Sequence, residues 1–327
     1  MNYSFFGTCA NDYDQLFGCL NTILEQSIMP REIILVNAGE KNIKNQILNI
    51  IQQKEIKILY IEQKLSRVKS LNLAIKHSTS TYSFRFDTRT RFSRDYAKNA
   101  LKILNNQFLK AYVVGGSPEV IPESENFQSI LCAEIMNRSY IFFYPKHRDT
   151  KYSGYSSSIY LGCFDTYYLK QIRFNEKKSL LSEDSLIIND FLERGLKAYI
   201  SSNIKVNYIS RKSFINILRL FNTYGYCRGN TILLSKKAFI SARHLFVFIF
   251  FVTLFLIFLS ISYYSLVFFP LVLFLLNFIG EILTNKSCKK YYLPFCGTLC
   301  QFSWILGFLW SMLSIFNRKN IKSNFIS

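Results

Sequence analysis

The sequence predicts an α/β protein, an open sheet with flanking helices, followed by C-terminal transmembrane helices. Two observations carry this. Over the first ~115 residues, short apolar runs alternate with stretches of helical spacing, the order of an open α/β sheet. From Leu245 to Gly280, by contrast, no residue carries a charge. That run of roughly 36 positions is about twice what one membrane-crossing helix needs. In a chain of 327 residues such a shift implies a head with an appended module. The boundaries fall at 1–240 for the head, 241–317 for the apolar module and 318–327 for a basic tail.

Within the head, Ser4 to Cys9 reads as the first strand. After Asp12 and Asp14, both suited to helix caps, Leu16, Leu20, Ile23 and Leu24 recur at helical spacing, and Pro30 closes the segment. Glu32 to Asn37, with Ile33 to Val36 at its centre, reads as a parallel strand buried on both faces. The polar turn Ala38-Gly39-Glu40 then leads into a helix reaching Gln53. Ile56 to Ile61 gives a third strand, Val68 to His77 a helix, and Thr81 to Phe86 a fourth strand that ends at Asp87. This order resembles a nucleotide-binding fold, in which ligands collect beyond the carboxyl ends of the strands, here at Thr8, Asn37 and Asp87. From Gly115 the pattern loosens into loops, rich in Ser and Tyr between Gly154 and Gly162. Helical spacing returns from Ser182 to Arg194, and again from near Phe214 into Tyr224-Gly225-Tyr226.

In the apolar module, two helices fit the first run, turning at Ser262-Tyr263-Tyr264-Ser265, where tyrosines suit the membrane interface. Tyr291 to Phe316, with Trp304 and Trp310, is long enough for a third span or a re-entrant helix. The lack of a polar face argues against core helices of a soluble protein. Forty Lys+Arg against 21 Asp+Glu give a formal charge of +19, which suits an anionic membrane, phosphorylated substrates or nucleic acid. The distribution favours the membrane and speaks against nucleic acid: Lys236, Lys237 and Arg243 precede the apolar run, and Lys286, Lys289 and Lys290 follow it. Arg318, Lys319 and Lys322 obey the same rule only if the third run does not cross. Met1 to Gly18 holds Asn11, Asp12 and Asp14 where a signal peptide would be apolar, so a head on the cytosolic side of the inner membrane is expected. Eight cysteines without a CxxC pair, and three scattered histidines, suggest neither a zinc site nor a disulfide framework.

Two carboxylates stand in chemically useful places. Asp87 closes an apolar strand in Phe84-Arg85-Phe86-Asp87-Thr88-Arg89; position alone leaves it open between a strand-end cap and a ligand contact. Ser182-Glu183-Asp184 opens a helix, with Ser182 as N-cap and the helix dipole favouring ionised acids in the first turn. Acidic residues are common there for that reason alone, yet an ionised Asp184 is also equipped to accept the proton of an attacking hydroxyl.

Taken in order, these stretches resemble glycosyltransferase family 2, with its GT-A fold, an open mixed sheet with flanking helices. The likeness rests on Gln26-Ser27-Ile28-Met29-Pro30-Arg31-Glu32 running into the second strand, on Leu71-Asn72-Leu73-Ala74-Ile75 before Thr81 to Asp87, and on Ser182-Glu183-Asp184. Arg211-Lys212-Ser213-Phe214, Tyr224 to Arg228 and Trp304 to Phe308 are similar to a membrane-tailed branch of succinoglycan type. The resemblance implies an inverting transfer of a sugar from a nucleotide-sugar donor to a lipid-linked or glycan acceptor, beside membrane lipids. It would place Thr8 and Asn37 at the nucleoside, Asn72 and Asp87 at the ribose-diphosphate and sugar, and Asp184 as base at the acceptor hydroxyl. The family's usual metal motif, Asp-x-Asp, reads Asp87-Thr88-Arg89 here. Asp87 alone is left to hold Mg2+ or Mn2+, and Arg85, Arg89 or Arg91 is expected to share in neutralising the diphosphate. Arg89 also motivates an alternative, a non-catalytic subunit that binds a nucleotide sugar or partner proteins.

Overall fold

The computed structural model describes residues 2–51, 56–142, 144–176, 183–234, 268–285 and 292–323, with 253 and 260 as isolated positions. The expected alternation is present: β1 (Tyr3–Cys9), α1 (Tyr13–Leu24), β2 (Glu32–Asn37), α2 (Lys44–Ile51), β3 (Lys57–Glu62), α3 (Arg67–His77) and β4 (Tyr82–Phe86). Every residue of β2 is buried, as the apolar centre Ile33 to Val36 requires, and Glu32 and Asn37 at its ends are buried with it. β3, β2, β1 and β4 lie side by side and parallel, with Cys9 level with Asn37 and Gly7 level with Phe86. Their carboxyl ends therefore form one edge.

Where the sequence pattern faded, the chain forms further short elements. These are β5 (Thr90–Phe92), α4 (Tyr96–Leu104), β6 (Ala111–Gly115), β7 (Pro118–Ile121), α5 (Phe127–Asn137), β8 (Gly154–Tyr155), β9 (Cys163–Asp165) and α6 (Thr166–Ile172). After α7 (Glu183–Glu193) come β10 (Lys197–Ile200) and β11 (Val206–Ile209). The main sheet runs β3-β2-β1-β4-β9-β6-β10-β8, and β5-β11-β7 make a smaller sheet. β9 is antiparallel to both β4 and β6, which makes the large sheet mixed.

Two apolar cores cover the sheet's faces, as the period of two along each strand dictates. Phe5, Leu20, Phe84, Phe86 and Tyr96 belong to one. Phe6, Ile34, Leu71, Phe164 and Ile188 belong to the other.

The chain divides into two compact units, Met1–Ile121, Lys146–Ser179 and Glu183–Ile209 against Pro122–Pro145, Leu180–Ser182 and Ser210–Ser327. The boundary drawn at 240 from composition falls inside the second unit. That unit contains α5, α8 (Phe214–Leu234), α9 (Phe268–Asn285) and α10 (Tyr292–Ser323). Within α10, Tyr292–Ser314 is long and apolar enough to cross a membrane, and Phe269–Thr284 is a shorter apolar helix. The tyrosine turn at 262–265, most of the run from Leu245, and the lysines at 236, 237, 286, 289 and 290 lie outside the described residues.

Candidate active site

The site grows out of an irregularity in β4. Its alternation sends Phe84 and Phe86 into one core and Ser83 and Arg85 to the other face. Arg85 is thus placed inside the protein, with a side chain 0 % exposed. A guanidinium so buried demands carboxylate partners. It finds them at the start of α7, donating to Oδ1 of Asp184 and, at 3.1 Å, to Oε1 of Glu183. Its Nη2 also lies 3.6 Å from Oδ1 of Asp87, two residues along the strand. The guanidinium carbon of Arg85 lies over the ring of Phe174, 5.5 Å from its centre.

A second arginine, the half-exposed Arg67 at the first position of α3, clasps the same carboxylates from outside. Its Nη2 donates to both oxygens of Asp87, at 3.0 and 2.9 Å, and its Nε stands 2.8 Å from Glu183. Asp87 and Asp184, far apart in sequence, therefore converge on one cationic cluster. Oδ2 of Asp184 has no protein partner among the described residues.

The charges follow from this arrangement. Burial alone would raise Asp87, but the guanidinium of Arg67, helped by Arg85, holds it below the usual carboxylate range. Glu183 behaves likewise, with Arg85 and Arg67 outweighing desolvation. Asp184 goes the other way: desolvation, with repulsion from Glu183 and Asp87, outweighs Arg85 and raises it to about 6. Ser182, the expected N-cap, lies outside the described residues.

The remaining expected residues are placed as follows. Thr8, half-buried, is the last residue but one of β1, level with Val36. Asn37 ends β2 with its amide engaged inside the protein, donating to the Lys41 carbonyl at 2.7 Å and the Tyr60 hydroxyl at 2.9 Å, and accepting from the Gly39 amide at 3.1 Å. Asn72 clamps the chain after α6: it donates to the Phe174 carbonyl and to Glu176, and accepts from the Phe174 amide. It thereby fixes the ring that faces Arg85. Arg89 pairs with Asp12 through Nε at 3.1 Å, so Asp12 stands at the cap position of α1 without making a capping bond. Arg91 spends its guanidinium on the carbonyls of Gln15, Thr88 and Thr90 and on the Gln15 side chain.

Sequence reasoning passed over Arg67 and gave Glu183 no role of its own. A signal for Arg67 did exist. A cation at the first position of a helix opposes the helix dipole, so its placement needs another cause.

Residues 5–165 match the family model for glycosyl transferase family 2. This stretch is a glycosyltransferase family 2 domain. The glycosyltransferase has a curated relative in Methanococcus voltae, dolichyl N-acetyl-alpha-D-glucosaminyl phosphate 3-beta-D-2,3-diacetamido-2,3-dideoxy-beta-D-glucuronosyltransferase. That protein is 24% identical over 258 residues, which are 73% of this chain and 76% of that one. Among solved structures, the mannosyltransferase PcManGT from Pyrobaculum calidifontis, in complex with GDP-Man and Mn2+, matches with a TM-score of 0.58. Its identity is 14%, over 94% of this chain and 87% of that one. S. aureus TarS 1-349 in complex with UDP-GlcNAc matches with a TM-score of 0.49 at 13% identity, over 94% and 90% of the two chains. The family 2 domain and the PcManGT likeness together establish the GT-A fold.

Proposed function

We propose that this glycosyltransferase takes a sugar from a nucleotide-sugar donor and passes it, with inversion, to a hydroxyl of a lipid-linked saccharide destined for a cell-surface polysaccharide. Carrying the proposal is the convergence of Asp87 and Asp184 on Arg85, with one oxygen of Asp184 left unpartnered among the described residues. Asp184 takes the acceptor's proton on Oδ2 as the acceptor oxygen attacks the anomeric carbon; the bond to the diphosphate breaks, and its electron pair leaves with the nucleotide. A raised carboxyl suits this, because a base works best when its pKa lies near the working pH. Thr8, Asn37 and Asn72 belong to the donor side of the same edge, the latter two by shaping the loops there.

The reading of a lipid-linked acceptor draws on the dolichyl phosphate sugar named for the M. voltae relative. It also draws on an inside-out pattern in the second unit. Asn277, Glu281, Thr298 and Gln301 are buried, while Leu271, Leu275, Ile279 and Leu283 form an exposed stripe along α9. Such a surface suits hydrocarbon, and buried polar pairs such as Asn277 with Gln301 at 2.9 Å suit helix association within it. The bilayer in question is the inner membrane, with the head on its cytosolic side.

The Asp87 corner does not fit a divalent cation. Both its oxygens receive Arg67, Arg85 lies behind it, and Arg89 replaces the second carboxylate. The three carboxylates near Arg85 are taken up by guanidinium groups, and among the described residues no group of three His, Cys, Asp or Glu is arranged to hold a cation. We therefore assign neutralisation of the leaving diphosphate to guanidinium groups, with half-exposed Arg67 the best placed. Released nucleotide from membranes given a panel of nucleotide sugars and lipid extract should persist in chelator. Loss of release in chelator, restored by Mn2+ alone, contradicts that assignment.

Asp184→Asn tests the base directly. Turnover should fall by about 10²–10⁴-fold, the usual worth of general base catalysis, with nucleotide binding preserved. A non-catalytic binding subunit would have no turnover to lose.

A further inference from the structure

We infer that Arg85 is a positioning residue for the base: from inside the sheet it fixes Oδ1 of Asp184, so that Oδ2 is the oxygen presented to the acceptor, and it couples that base to Asp87 at the donor side. This inference rests on Asp184 being the base.

Three observations separate this role from diphosphate binding, the part first expected of Arg85. Its side chain is wholly buried, whereas a phosphate ligand needs a face that the donor reaches. Both terminal nitrogens already serve carboxylates, Nη1 on Asp184 and Nη2 on Glu183 with Asp87 close by. Its remaining nitrogen, Nε, is buried without a hydrogen-bond partner. An orphaned buried donor costs stability, and a buried ion pair gives little net stability in return. A group used only to hold the fold together would be poorly chosen here. The same fork geometry is well chosen for aiming one carboxylate oxygen, because a planar guanidinium with two bonds to α7 fixes that helix start against β4.

Asp184 has several charged neighbours, and they set the direction of each effect. From β4 it faces Arg85 and Asp87, from α3 Arg67, and beside it on α7 Glu183. Partly buried Tyr160 also lies within electrostatic reach, its hydroxyl 3.1 Å from that of Thr90. Arg85 and Arg67 favour the ionised base; Glu183 and Asp87 oppose it.

The test is the pH profile of turnover for the full-length protein in membranes, alongside nucleotide affinity, for the wild type, Arg85→Gln, Arg85→Lys and Glu183→Gln. Arg85→Gln removes the favourable charge, so its acid limb should move at least one pH unit upward. Its turnover at the plateau should fall ten-fold or more, with nucleotide affinity within two-fold of wild type. Arg85→Lys keeps a charge but loses the fork, so turnover should fall while the limb moves less. Glu183→Gln removes a repelling neighbour, so its limb should move downward. If Arg85→Gln does not fold, the Arg85→Lys and Glu183→Gln profiles decide. Weakened nucleotide binding with an unmoved limb makes Arg85 a phosphate ligand and overturns the inference, as do limbs unmoved in every variant. Full turnover in Asp184→Asn would instead sink the underlying assignment of the base, a result separable from the others.

Discussion

Asn37 shows what a single buried amide decides. It is 2 % exposed, and its nitrogen donates to the Lys41 carbonyl and the Tyr60 hydroxyl. An aspartate, which has no hydrogen to donate when ionised, would face that carbonyl unpaired. Asn37→Asp should therefore destabilise the fold by about 1–3 kcal/mol, the cost of an unsatisfied buried group. Urea unfolding checks this, and unchanged stability would mean that the turn after β2 re-forms around the carboxylate. At Asp184 the prediction concerns pH. Its carboxyl is raised to about 6, so the base we propose is ionised above that value. Turnover should lose an order of magnitude for each unit that pH falls below it, and a flat rate down to pH 5 excludes Asp184 as the titrating group. Both carboxylates were legible in the sequence because each sits at an element boundary, Asp87 at a strand end and Asp184 in a first helical turn. The arginines between them were legible only as misfits: Arg85 in a buried strand and Arg67 at a helix start each break a local rule, as functional positions often do. Their partners lie on other elements, and periodicity carries no information about those.

Elements long enough to repeat their pattern were readable, and short ones were not. The four parallel strands and α3 match the expected spans within a residue, whereas α1 ends at Leu24, short of Pro30, and α2 starts only at Lys44, its expected end at Gln53 lying outside the described residues. β9 has three residues and β8 two, fewer than one cycle of alternation can establish. The insertion of β9 between β4 and β6 is a long-range pairing with no local signature. Among the helices, α8 and α10 carry a prediction of their own. A Cβ at Gly225 would collide with the backbone carbonyl of Trp304, and one at Gly307 with that of Asn222. These two helices thus approach backbone to backbone, which is what small residues at a helix interface permit. Gly225→Val must push the helices apart, at a cost of about 1–3 kcal/mol. A Cβ at Gly229 meets the side chain of Ser311 and lies 3.2 Å from the Phe308 carbonyl, so Gly229→Ala presses on a side chain rather than forcing two backbones apart. In detergent, the first variant should lower the thermal midpoint clearly more than the second; equal effects would mean that the close approach is not maintained.

At the scale of the whole molecule, two forces could hold the protein to a membrane, and they predict different behaviour. The charge of +19 favours any anionic surface, and α9 and α10 offer apolar faces to its interior. Salt separates them. At about 1 M ionic strength the screening length falls to roughly 3 Å, so a chain held by surface charge alone is released. A chain inserted through Tyr292–Ser314 is not, because hydrophobic burial is strengthened rather than weakened by excluded salts. The full-length protein is therefore expected in the membrane pellet after both high-salt and alkaline washes, and in solution only after detergent. Release by salt would leave the lipid-linked acceptor without its structural rationale, since the enzyme would then meet the bilayer only through its charges. The exposed stripe of Leu271, Leu275, Ile279 and Leu283 makes the direction of the result clear. Four large apolar side chains one turn apart are costly to leave in water, and a lipid interior satisfies them without any further protein.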